Sequence, residues 1–86
     1  MPYLTIEVKQ SHINRGYNNV DARSACVIAL AAQAAFKDKT VECLYESLVV
    51  GKKFIHLPQS AQLIQRRIFD DVPKKELKPF SFRVKV

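Results

Sequence analysis

The chain has 86 residues, enough for a single domain, residues 1–86, of modest stability. Hydrophobic residues make up 48% of it and charged residues 26%, which excludes a disordered chain, and two Gly with four Pro exclude long flexible linkers. The net charge is +6. Residues 1–50 carry five basic and five acidic side chains, whereas residues 51–86 carry nine basic and three acidic ones, so the whole excess lies in the C-terminal part. Such asymmetry points to an anionic partner, either nucleic acid or an acidic protein surface.

In chain order, Tyr3-Leu4-Thr5-Ile6-Glu7-Val8-Lys9 alternates with period two and predicts a half-buried strand. Ser11 is placed to cap a single turn, His12-Ile13-Asn14-Arg15, with Gly16 leaving it in a left-handed conformation. Tyr17-Asn18-Asn19 reads as loop. Asp21 or Ser24 is expected to cap a helix running to about Phe36. Its interior, Cys26 to Phe36, is rich in Ala and apolar nearly all round, which predicts burial on most faces and close packing on a sheet or helix. Lys37-Asp38-Lys39 ends it.

Thr40 to Tyr45 alternates again and is strand-like, and Glu46-Ser47 reads as a turn. Two short apolar runs, Leu48-Val49-Val50 and Phe54-Ile55-His56-Leu57, flank Gly51-Lys52-Lys53 and predict a hairpin. Pro58 suits the first position of a second helix, which carries Ala61, Ile64 and Ile68 on its apolar stripe with Leu63 beside them. Gln62, Gln65, Arg66 and Arg67 fall towards its exposed side. Val72-Pro73 stops that helix. Phe80, Phe82, Val84 and Val86 then alternate with Ser81, Arg83 and Lys85 as a last half-buried strand. The expected fold class is α+β, in the order βαββ(β)αβ, with an antiparallel or mixed sheet and two helices packed on one face. The two end strands are expected to pair.

A strand followed by His12-Ile13-x-x-Gly16, a Cys26-x-Ile28-Ala29-Leu30-Ala31 helix, a meander closing on Leu57-Pro58, an amphipathic helix and Pro79-Phe80-Ser81-Phe82 together form a pattern. It resembles a group of small uncharacterised proteins encoded by bacteriophages and bacterial genomes. In that group the residue after the cysteine is often proline, which sets the helix start there; here it is Val27. The resemblance implies no catalytic residues. It raises the expectation of a phage or mobile-element accessory protein.

Cys26 and Cys43 are the two cysteines, and both lie in apolar runs, where a thiol behaves as a small hydrophobe. Reduced, buried thiols are expected rather than a bridge. With His12 and His56 they lack the close ligand pairs that zinc sites show, so no metal and no cofactor are expected. Cys26 lies in the most apolar stretch of the chain, which predicts a raised thiol pKa and argues against a Cys–His nucleophile. His12 is expected to cap or pack over the first strand. There is no Gly-rich phosphate loop, no nucleophile elbow and no paired carboxylate set, so the protein is not expected to be an enzyme.

The basic set is Lys52, Lys53, Arg66, Arg67, Lys74, Lys75, Lys78, Arg83 and Lys85. It reads as a patch for an anionic partner. The plainest alternative is a solvated surface that keeps a small protein soluble. A protein partner is favoured over nucleic acid, because Tyr3 beside Arg83 and Lys85 is a poor stacking platform on its own and no recognition-helix pattern stands out. Exposed sheet edges on so small a chain also predict self-association as a two-fold homodimer. The start of the sequence shows no basic segment followed by an apolar one, and the Ala25–Ala35 run is about half a bilayer span. A cytoplasmic protein with no membrane contact is the expectation.

Overall fold

A computed structural model describes residues 3–19, 23–38, 40–44 and 46–85. Asp21, Lys39, Tyr45 and Val86, which figure in the expectations above, lie outside the described residues. The elements run β1 (Tyr3–Val8), α1 (Gln10–Gly16), a 3₁₀ turn (Tyr17–Asn19), α2 (Val27–Phe36), β2 (Glu42–Cys43), β3 (Ser47–Val50), β4 (Lys53–His56), α3 (Gln59–Phe69), a second 3₁₀ turn (Lys74–Glu76) and β5 (Phe80–Lys85). The fold is α+β. Its antiparallel strands divide between two sheets, β1-β5 and β2-β3-β4, rather than forming a single one.

The end strands pair as expected, from Tyr3 opposite Lys85 to Val8 opposite Phe80. Opposed residues share a face. Leu4, Ile6, Val8, Phe82 and Val84 therefore turn towards α2 and the core, while Tyr3, Thr5, Glu7, Ser81, Arg83 and Lys85 turn outward. The second sheet is a meander. Its hairpin turn is Gly51-Lys52, since Val50 pairs with Lys53. Gly51 takes φ 62° and Lys52 keeps a negative φ, the pattern of a type II′ turn, which suits the right-handed twist of the strands.

Both sheets and the helices share one continuous core in which Ile6, Val8, Ile13, Val27, Ile28, Val41, Leu48, Leu57 and Val84 are fully buried. Five of the ten α2 residues, Val27, Ile28, Ala29, Ala31 and Ala32, are buried. Its one polar interior residue, Gln33, donates from Nε2 to the carbonyls of Ser24 at 2.6 Å and Val41 at 3.1 Å. That side chain ties the helix to the segments on both of its flanks.

Several local expectations need correction. The segment after β1 is a two-turn helix whose N-cap is Lys9, not Ser11, because His12 Nδ1 reaches back to accept the Lys9 N–H at 3.0 Å. Gly16 does not have a left-handed backbone. It is the last residue of α1, and its missing side chain is explained by packing: a Cβ there would lie 2.4 Å from Val27 N and 2.7 Å from Val27 Cα. Glycine lets α1 meet the start of α2. That start is Val27, with Cys26 as N-cap, so Ser24 does not cap it. Pro58 is the N-cap of α3 rather than its first residue. Of the described residues Thr40–Leu44, where a strand was expected, only Glu42–Cys43 form one, and Ser47 belongs to β3 rather than to a turn. Gln65 is buried, not solvent-facing, for a reason given below.

Candidate functional site

α3 presents two faces. Ala61, Ile64 and Ile68 are buried against the core, while Arg66 and Arg67 are exposed. Leu63 sits between the faces and is 49% exposed, a large apolar side chain with no cover. The helix ends in a double cap. Val72 N–H donates to Arg67 O at 3.0 Å and Asp71 N–H to Ile68 O at 3.1 Å, with Asp71 at φ 60° in the position glycine usually takes. That cap reverses the chain. Tyr17 Oη then holds the reversal by donating to Val72 O at 2.6 Å. The returning segment, through the Lys74–Glu76 turn, is thereby laid beside the helix it has just left.

The result is a groove of about 260 Å³ between α3 and the return segment. Its helical wall is Ser60, Leu63, Ile64 and Arg67, spaced i, i+3, i+4, i+7 along one face. Its other wall is Glu76, Leu77, Lys78, Pro79 and Phe80. Leu63, Ile64, Leu77, Pro79 and Phe80 make the lining apolar. Arg67 and Lys78 place two cations at the groove against the single carboxylate of Glu76. Clefts for whole small molecules run to about 300–1,000 Å³. This one is sized for one or two large apolar side chains.

The basic residues fall on three parts of the fold. Lys52 and Lys53 sit at the β3–β4 turn, next to Phe54, which is 71% exposed. Arg66, Arg67, Lys74, Lys75 and Lys78 belong to α3 and the return segment, where Arg67 and Lys78 meet in the groove and Lys74 Nζ stands 5.8 Å over the Tyr17 ring. Arg66 and Arg67 are consecutive, so they diverge by about 100° around the helix. Arg83 and Lys85 lie on the outward face of β5, and Arg83 stacks over the Tyr3 ring at 5.5 Å, as the expected pairing of the end strands implied. The groove itself was not foreseen. Its signal was Leu63, set beside the buried stripe of α3 rather than on it.

A second crevice, about 200 Å³, is lined by Thr5 and Glu7 of β1, by Lys9 and His12 at the start of α1, and by Ala31, Ala34 and Ala35 of α2. His12, third residue of α1, completes its N-terminal cap by accepting the Lys9 N–H. Because Nδ1 accepts the Lys9 N–H, the ring proton belongs on Nε2. Burial, then the nearby cations Lys9 and Arg15, hold its pKa below the ordinary value. Among the described residues no three of His, Cys, Asp and Glu converge as a metal-binding set.

The thiols correct another expectation. Cys26 and Cys43 are both buried and unbridged. The apolar surroundings of Cys26 do not decide its acidity. The influence of Cys43 outweighs the burial penalty, and the N–H groups of Ile28 and Ala29 at the start of α2 add to it, lowering the Cys26 pKa to about 7, while the Cys43 thiol itself donates to the Leu44 carbonyl at 3.1 Å. The Cys43 thiol is pushed far up by the same partnership and by burial. Gln65 explains its own burial here, because its Nε2 donates to Cys43 Sγ at 2.9 Å. No helix among the described residues is long and apolar enough to cross a membrane. Set against protein-family models, curated proteins and solved structures, the chain finds no match.

Proposed function

We propose that the chain is a non-enzymatic binding protein that docks a protein partner in the groove between α3 and the segment leading to β5. The observation that supports this is an uncovered apolar lining, Leu63 above all, flanked by Arg67 and Lys78 in the half of the chain that holds the whole +6 excess. The occupant that fits is a short segment of another protein with one or two large apolar side chains flanked by Asp or Glu. Apolar anchors in a desolvated pocket supply the affinity, and complementary charge supplies rate and orientation. Two unbridged thiols suit a reducing compartment, and we place the protein in the cytoplasm. The likeness of its His12-Ile13-x-x-Gly16 and Cys26-x-Ile28-Ala29-Leu30-Ala31 segments to phage and bacterial proteins supports an accessory role on a phage or mobile element.

The test is selection from a displayed library of short peptides, followed by titration of the winners by fluorescence anisotropy. The expected winners carry a Leu, Phe or Trp anchor beside acidic residues, and lose binding in Leu63→Lys and Arg67→Glu. Winners without that chemistry, or binding unchanged in both variants, contradict the proposal.

A second reading, nucleic-acid binding, draws on two placements: Phe54 exposed beside Lys52 and Lys53, and Tyr3, 60% exposed, under Arg83. Stacking on an aromatic next to cations can hold single strands. It predicts affinity that falls steeply with salt, by a log–log slope of roughly −0.7 per phosphate neutralised on a single strand. We also propose pairing as a homodimer, supported by β1, which is bonded to β5 on one side and to no other described strand. Sedimentation at high micromolar concentration tests it. A particle of the monomer mass, 9.8 kDa, contradicts it.

A further inference from the structure

The homodimer proposed above needs an interface, and the free edge of β1 has the geometry of one. β5 pairs with β1 and also touches β4, and β2, the far edge of the other sheet, is only two residues long. β1 runs for six residues, Tyr3–Val8, with no described strand on its other side. An open strand of that length is a template for another. Lys9 shows which backbone groups face the opening. It is extended (φ −88°, ψ 163°), so it continues the line of β1, and its N–H turns to His12 Nδ1 at 3.0 Å rather than to β5. Along a strand, alternate residues aim their N–H and C=O groups to the same side. Those of Thr5 and Glu7 therefore point away from β5. Thr5, Glu7, Lys9 and His12 line the crevice of about 200 Å³ with Ala31, Ala34 and Ala35 of α2, which places that crevice along this edge.

We propose that two copies of the chain pair through β1, antiparallel about a two-fold axis at Thr5, so that their two-stranded sheets become one of four strands, β5-β1-β1-β5. The proposal rests on the homodimer reading and adds to it the surface and the register. Charge selects a second copy over an acidic segment. β1 and α2 lie in residues 1–50, whose five cations and five anions cancel, and α2 has no charged residue. The two edges meet as neutral surfaces, whereas the basic C-terminal parts would repel. Symmetry then restricts the register, because core-facing residues must oppose core-facing ones. An axis at Glu7 sets the two Glu7 carboxylates against each other, and an axis at Ile6 calls on the Lys9 N–H, which His12 already holds. An axis at Leu4 uses only Tyr3–Thr5 of the strand. An axis at Thr5 opposes Thr5 to Thr5, Leu4 to Ile6 and Tyr3 to Glu7. It brings Glu7 of each copy beside Tyr3 of the other, whose ring lies 5.5 Å under Arg83. A carboxylate thus meets a cation twice, once on each side of the axis.

Two measurements on the full chain separate this interface from dimerisation as such. Sedimentation at high micromolar concentration reads the mass, and mild oxidation of Thr5→Cys reads the axis. Opposed residues of a hydrogen-bonded antiparallel pair stand about 5.5 Å apart at Cα, within reach of a disulfide. Thr5→Cys is expected to cross-link into covalent dimers, and Ser81→Cys, on the same outward face but on β5, is not. Thr5→Pro removes an edge N–H that β5 does not use, and is expected to sediment as the 9.8 kDa monomer with its circular dichroism kept. Glu7→Lys, exposed on the outward face, is expected to weaken the dimer about tenfold through two symmetric like-charge contacts, and it decides the point where the proline costs the fold. A wild-type dimer that neither variant weakens, or cross-linking at Ser81→Cys but not at Thr5→Cys, overturns the interface and leaves the homodimer reading standing. A wild-type monomer overturns both.

Discussion

α2 and α3 are nearly the same length, ten and eleven residues, yet they relate to solvent in opposite ways. α2 has no charged residue and buries Val27, Ile28, Ala29, Ala31 and Ala32. α3 buries a stripe of Ala61, Ile64 and Ile68 and leaves Leu63, Arg66 and Arg67 outside. The difference follows from composition. An apolar helix rich in alanine can be surrounded, whereas an amphipathic one keeps a face that solvent or a partner must cover. In this molecule the framework sits with α2, and the surface available for recognition sits with α3. α3 also reaches β2 chemically, since Gln65 donates to the Cys43 sulfur at 2.9 Å.

Substitution separates the two roles most sharply. Ile28→Ala opens a void in a fully buried position of α2 and is expected to cost about 2–5 kcal/mol in urea unfolding. Leu63→Ala, half exposed on α3, is expected to change stability by no more than about 0.5 kcal/mol while removing partner binding. Equal destabilisation by the two would break the contrast.

Acidity gives the next largest effect. Cys26 loses its proton at about 7 in the folded protein against an ordinary value of 9.0. Stabilisation from this group is present in full above pH 9 and is lost as pH falls through 7. Cys43, raised in the folded state, acts oppositely once pH passes its ordinary value of 9.0. Unfolding free energy is therefore expected to rise by about 2 kcal/mol between pH 7 and 9 and to turn down above that. Cys26→Ser removes the rise. Thiolate ultraviolet absorbance in the folded protein checks the same point, with one thiolate appearing near neutrality.

Backbone fit gives smaller changes. Gly16→Ala drives a methyl group into the backbone of Val27, and the collision is expected to cost about 1–3 kcal/mol by thermal melting. Both long helices end on a non-glycine residue at positive φ, Lys37 at 55° and Asp71 at 60°. Glycine relieves each. The gain is expected to be about 1 kcal/mol for Lys37→Gly and a few tenths for Asp71→Gly, since Asp tolerates this conformation better than Lys.

The same contrast governs what was legible in the sequence. Strict alternation marked β1 and β5, because each buries one face against the core, and the Ala-rich apolar run marked α2. The Gly51-Lys52 turn followed from its flanking apolar runs. The helix start at Val27 was hidden because Ser24 and Asp21 are better caps by type than Cys26, whereas the helix begins where Gly16 of α1 lies against Val27. Gln65 looked solvent-facing because amides usually are, and its partner lies twenty-two positions away. Gly16 resembled a turn residue because glycine is needed for close approach as well as for positive φ. The basic residues were visible, but the groove needed the reversal at Asp71 and Val72, a tertiary feature that no local spacing announces.

Salt dependence tests the central claim most directly, that the basic half recognises a protein segment through the α3 groove. Labelled acidic peptides with a single apolar anchor and labelled single- and double-stranded nucleic acids are titrated side by side at low and moderate salt. Each is run on the wild type, Leu63→Lys and Arg83→Ala/Lys85→Ala. The account predicts peptide binding that weakens only mildly with salt, is lost in Leu63→Lys and survives in Arg83→Ala/Lys85→Ala. Tight nucleic-acid binding that falls steeply with salt, persists in Leu63→Lys and is lost in Arg83→Ala/Lys85→Ala contradicts it.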